Sequence, residues 1–208
     1  MGVVGTAAGS AKIKNVYTTG SVSGSENVGG IVGSASAKVT ISNCANGAAV
    51  SGSSKVGGIV GASAGSISGC LNVATIKGSS YVGGIAGTAA NLIDCSNMGF
   101  VDCGNPATSA GIAGSATGTV KSCLSAGYVE GASIANGGTL SNCFFDEALA
   151  LGGQPAATPF VMSADQDFGL LSTWDSEKGR YPVPAAVAAS PMGRVAKYPI
   201  YFVAGEFT

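Results

Sequence analysis

Between Val39 and Val60 the apolar residues come in short clumps: Val39-Thr40-Ile41, then Cys44, then Ala49-Val50-Ser51, then Val56-Gly57-Gly58-Ile59-Val60. Asn46-Gly47 and Gly52-Ser53-Ser54-Lys55 lie between them as turns. Short β-branched runs bounded by turn residues predict strands. A helix is disfavoured, because each interior glycine would cost about 1 kcal/mol there.

The pattern recurs. Val28-Gly29-Gly30-Ile31-Val32-Gly33 returns at residues 56–61 and, with one change, at 82–87, and a shortened copy reads Ala110-Gly111-Ile112-Ala113-Gly114. The closing glycines at 5, 33, 61, 87 and 114 give steps of 28, 28, 26 and 27 residues. Val16, Cys44, Cys70, Cys95, Cys123 and Cys143 mark a second column. An aliphatic stands three before each (Ile13, Ile41, Ile67, Leu92, Val120, Leu140) and six after each (Val22, Val50, Ile76, Val101, Val129, Leu149). The fourth copy carries an insertion around Cys103-Gly104-Asn105-Pro106, and the fifth keeps only Ile134 and Gly137-Gly138 of the glycine motif.

A unit of this size cannot bury an apolar face alone; stacked copies can. The expected fold is therefore all-β: a parallel β-solenoid of about six coils over residues 1–149, three short strands per coil, with coils about 4.8 Å apart. Val56 and Ile59 are three residues apart, and a two-residue period turns both inward only through a bend. Gly57-Gly58 supplies that bend, so Gly30, Gly33, Gly58, Gly61, Gly84 and Gly87 are structural candidates. The same parity argument requires a bend between Ile41 and Cys44.

Residues 150–184 do not repeat and are expected to cap the open end of the stack. Ser163-Ala164-Asp165-Gln166 fits a capping box and predicts a short helix over 163–172. The single tryptophan, Trp174, is expected to be buried with Phe168 and Tyr181 near the last coil. Ala185–Ala189 reads as a linker, and Lys197–Val203 as a terminal strand with Pro199 at an edge. That strand either folds along its own rod, the preferred arrangement, or joins the open first coil of a neighbour, which would give head-to-tail self-association.

Composition narrows the function. Net charge is −1 and only 10% of residues are charged, which speaks against nucleic-acid binding. Histidine is absent, removing the commonest general base and metal ligand. No apolar run is long enough to span a membrane, so membrane insertion is not expected. The chain opens inside a repeat with no leader, and is read as a piece of a longer protein whose export signal lies upstream.

Cys44, Cys70, Cys95, Cys123 and Cys143 share a column that accepts valine, so they read as buried free thiols serving as small hydrophobes. Cys103 lies outside the column, either exposed or within reach of Cys95. No CxxC exists for zinc. The glycine motif lacks the GK[ST] of a phosphate loop. Asp94 and Asp102 fall in different parts of one coil with no aromatic sugar platform expected beside them, against a glycosidase. Asp165 and Asp167 fit a helix start better than a calcium site. Thr18, Thr40, Thr75, Thr88 and Thr117 form no single column, against an ice-binding face. No cofactor is expected.

Val-Gly-Gly-Ile-Val-Gly followed by Ile41, Asn43 and Cys44 resembles the GLUG-motif repeats of bacterial surface and adhesin-like proteins. Cys143-Phe144-Phe145-Asp146, Met162, Phe168, Trp174-Asp175 and Tyr181-Pro182-Val183 look like the pattern that closes such arrays. The resemblance spans roughly residues 1–184. It implies a non-enzymatic structural or adhesive module, extracellular or on the cell surface, whose partner is a host or cell-surface ligand, protein or glycan. The alternatives are an accessory domain of a secreted immunoglobulin-A-peptidase-like protease and a subunit of a head-to-tail surface filament.

Overall fold

The computed structural model describes residues 3–154, 156–161, 173–177 and 180–196. The helix expected over 163–172, Phe168 and the strand expected over Lys197–Val203 lie outside the described residues. The chain forms a parallel β-solenoid of about five turns. Three parallel sheets run along it, two of nine strands and one of four.

The first sheet carries Val4–Ala7, Val32–Ala35, Val60–Ser68 and Ala86–Ile93 side by side. Their register superposes Ile13, Ile41, Ile67, Leu92, Val120 and Leu140, the aliphatic column expected from spacing. The second sheet contains Tyr17–Ser23, Ala45–Ser51, Leu71–Asn72 and Ile76–Gly78 with their later copies. It stacks Val22, Val50, Ile76, Val101 and Val129. The third joins Glu26–Gly29, Ser54–Gly57, Ser80–Gly83 and Ser109–Ala110. Between the third and first sheets a column of isoleucines is fully buried. Ile31, Ile59, Ile85 and Ile112 each donate their amide to the isoleucine carbonyl one coil on, at 2.8–3.1 Å.

Both parity bends exist. Before the cysteine column every coil places one residue in the left-handed region: Asn15, Asn43, Gly69, Asp94, Ser122 and Asn142, with φ between 50° and 59°. Five of these are Asn, Asp or Gly, the types that tolerate this conformation. The bend between valine and isoleucine falls at Gly30-Ile31, Gly58-Ile59 and Gly84-Ile85, and a separate left-handed column, Asn27, Lys55 and Tyr81, precedes the valines of the third sheet.

Two expectations are corrected. In the last coil the partner of Val129 is Ala150 and not Leu149. The turn after Asp146, in which Leu149 and Ala150 both donate to the Asp146 carbonyl, consumes one extra residue. The segment read as a linker folds onto the rod instead. Ala185–Val187 forms a 3-10 turn with Val187 fully buried. Helix α1, Pro191–Ala196, follows it. Ser190 caps α1 by accepting the Gly193 amide on its hydroxyl at 3.0 Å, and Pro191 occupies the first turn, where no amide is needed.

Candidate functional site

The residues singled out by spacing converge on the inside of the coil. Cys44, Cys70, Cys95, Cys123 and Cys143 are all buried and all free. Each thiol donates to the carbonyl two residues before it, at 3.1–3.4 Å. Burial pushes the Cys70 and Cys123 thiols well above the ordinary thiol range, and neighbouring thiols push the same way. Such thiols are protonated and poor nucleophiles. Cys103 is half-buried in the insertion and donates to the Asn105 carbonyl at 3.3 Å.

Two residues past the cysteines lies a feature the spacing argument missed. Asn46, Asn72 and Asn97 are fully buried and form an amide ladder. Asn46 Nδ2 donates to Asn72 Oδ1 at 2.8 Å, and Asn72 Nδ2 to Asn97 Oδ1 at 2.8 Å. Thr18 starts the ladder by donating its hydroxyl to Asn46 Oδ1. Each Oδ1 also accepts the backbone amide two residues on, and each Nδ2 donates to the carbonyl of that same residue. The sequence signal is Cys-x-Asn, repeated in three coils, although Asn46-Gly47 by itself reads as a turn. Ser125 takes the place in the next coil, and its hydroxyl has no partner among the described residues.

The ladder explains the motif's second glycine. A methyl group on Gly30, Gly58 or Gly84 would lie 2.2–2.7 Å from the Asn side chain of its own coil and 2.3–2.4 Å from the glycine carbonyl of the next. Gly137 and Gly138 of the worn fifth copy have a positive φ (83° and 76°), but Gly30, Gly33, Gly58, Gly61, Gly84 and Gly87 do not. The latter are required for close approach, not for a special turn. On Gly61 and Gly87 a methyl would strike the backbone of residues 27–28 and 55–56 at 2.3–2.6 Å, and on Gly33 the Gly5 carbonyl at 2.5 Å.

Trp174 is 7% exposed. It lies on the flank of the rod, in a cluster with Leu124, Ala126, Phe160 and Tyr181, and not across its end. Its indole donates to Asp94 Oδ1 at 3.3 Å, and Tyr181 donates its hydroxyl to buried Asp146 Oδ2 at 2.6 Å. Trp174–Asp175 pairs antiparallel with Val183–Pro184. Val183, Val187, Met192 and Ala196 then cover Ala45 and Leu71 on the outer face of the second sheet. The described C-terminal residues therefore form a strap along several coils. The reason is chemical: Ala45, Leu71 and Leu124 stack on the outer face as an apolar column interrupted only by Ser96, and an apolar sheet face must be covered.

Beside α1 the strap leaves an apolar groove of about 380 Å³, walled by Val73, Met98, Phe100, Tyr128, Leu149 and Val195. The Phe100 and Tyr128 rings stand 5.3 Å apart at 46°. The same two rings border a notch of about 60 Å³ lined also by Asp102, Cys103, Ser109 and Glu130. Tyr128 donates to Glu130 Oε1 at 3.1 Å, and this bond raises the phenol above its ordinary value. Asp102 pairs with Lys77 at 2.8 Å. Phe100 and Tyr128, which come from adjacent coils, line this notch together with Asp102. Among the described residues no three His, Cys, Asp or Glu side chains converge as a metal site, and no helix is long and apolar enough to cross a membrane.

Set against known protein families, the chain matches none, and no curated protein or solved structure matches it either.

Proposed function

We propose that this chain is a structural and adhesive module of a bacterial surface or secreted protein, a repeat rod of the GLUG type that acts by binding and spacing and not by catalysis. The observation that carries the reading is where the repeated residues go. The cysteine and asparagine columns are buried, the asparagines bond to one another from coil to coil, and the motif glycines lie against the glycine carbonyl of the next coil. A repeat so invested in stacking serves as a stiff spacer, while partner contact falls to the non-repeating outer surface, where the aromatic groove lies. The GLUG resemblance supports extracellular placement.

The test is retention of epithelial cells, or of extracellular-matrix proteins, on a surface coated with the purified chain. Saturable retention, competed by the free chain, is the expected result. Retention no greater than on a surface coated with an unrelated β-solenoid would refute the adhesive role.

A further inference from the structure

We propose that the groove beside α1 is a docking site for a peptide carrying a bulky apolar side chain next to a basic one, the apolar group in the groove and the cationic head in the notch that Phe100 and Tyr128 border. The proposal rests on the adhesive reading and names the partner's chemistry.

Phe100 and Val195 are 42% and 69% exposed, so two of the chain's exposed large apolar side chains flank this one groove. Such a local concentration of apolar surface is characteristic of interaction sites. The remaining walls, Val73, Met98, Ala126 and Leu149, carry no side-chain hydrogen-bonding group. Tyr181 is the polar exception besides Tyr128, and its hydroxyl is already donated to Asp146. A sugar ring seated here would leave most of its hydroxyls without partners, and burying an unpaired hydroxyl is unfavourable. An apolar side chain meets no such penalty, and the groove volume of about 380 Å³ accepts one with part of its backbone.

The notch has the complementary character. It is small, about 60 Å³, and is lined by the carboxylates of Asp102 and Glu130 with no cationic side chain in its wall. Lys77 meets Asp102 from a position where its own side chain is 70% exposed, so solvent and salt screen that pair. Among the described residues Glu130 is bonded only to the Tyr128 phenol. A lysine or arginine head in the notch would gain Glu130 as a counter-ion and the adjoining ring faces as cation–π partners. An acidic head would meet two carboxylates.

The test uses the full chain, amide NMR and the probe acetyl-Phe-Arg-amide. Saturable shifts are expected at Phe100, Ala126, Tyr128 and Glu130. Affinity should weaken roughly two- to fivefold in Glu130→Gln, the range for one exposed charge pair, and be lost in Glu130→Lys. Glu130 is exposed, so both variants should keep the parent spectrum elsewhere. Four results would each overturn the proposal: equal shifts with acetyl-Phe-Glu-amide; saturation at the same amides by N-acetyllactosamine but not by the peptide; shifts that grow with protein concentration alone, marking a second copy; or contacts from the Phe100 ring to Tyr198 or Phe202 of the same chain in the free protein. Loss of peptide binding with cell retention intact would remove the groove and leave the adhesive reading standing.

Discussion

Replacing Gly58 by alanine adds a single methyl group to a chain of 208 residues, and the solenoid account makes it one of the most damaging small changes available. The new carbon would lie 2.3 Å from the Gly84 carbonyl oxygen, 2.6 Å from Asn72 Cγ and 2.7 Å from Asn72 Oδ1. All three are well inside ordinary contact distance, and none belongs to a mobile group. The carbonyl is backbone. Asn72 is held by donation to Ala74 O and Asn97 Oδ1, both at 2.8 Å, and by acceptance from Asn46 Nδ2 at 2.8 Å. Overpacking of a tight interior costs about 1–3 kcal/mol. Each amide bond lost from the ladder adds about 1 kcal/mol. Relief of the clash by displacing Asn72 breaks at least two, so the expected cost is about 3–5 kcal/mol. Urea unfolding followed by far-ultraviolet circular dichroism would show this as a midpoint lowered by roughly 1–2 M. Gly5→Ala is the control: its methyl meets nothing within 4 Å, and its midpoint should stay near the parent's. A Gly58→Ala midpoint equal to that of Gly5→Ala would refute the close-packed ladder. In the double variant with Asn72→Ala, the combined cost should be smaller than the sum of the two single costs, because both act on one contact.

Three further outcomes follow from the same geometry. With a thiol reagent, Cys103 should react first in the native chain, and the five column cysteines only on unfolding, since they are at most 1% exposed. Tyr181→Phe should cost about 1.5–3 kcal/mol, because it removes a hydrogen bond to the buried Asp146 carboxylate; an unchanged unfolding midpoint would detach the strap from the last coil. The Tyr128 phenol, held protonated by donation to Glu130, should titrate above free tyrosine and keep that bond until the pH rises through its raised value. Glu130→Gln should move the ultraviolet titration back down, and an unmoved curve would contradict the contact.

The repeat region was legible because each position is written five or six times. Ile13 through Leu140 and the cysteine column could be aligned by offset alone, and the register then follows. The same reliance on offset misplaced the last aliphatic, since the turn after Asp146 lengthens one coil and brings Ala150 inward. The asparagine ladder was written three times, but Asn46-Gly47 also carries a strong local turn signal, which masked the longer-range pattern. The strap was the least legible part. Its residues occur once, and Ala185–Ala189 has the composition of a linker. Val187 and Met192 are buried only because the outer face of the second sheet offers Ala45 and Leu71. The groove was invisible for the same reason: Phe100 and Tyr128 meet across coils, 28 positions apart in the chain.

The most direct measurement is of the side-chain amides of Asn46, Asn72 and Asn97 by NMR. The ladder requires nuclear Overhauser contacts from Asn72 Nδ2 protons to both neighbours, with exchange slowed by burial at all three. Three asparagine amides that exchange at the free rate and show no mutual contact would contradict the stacked coil.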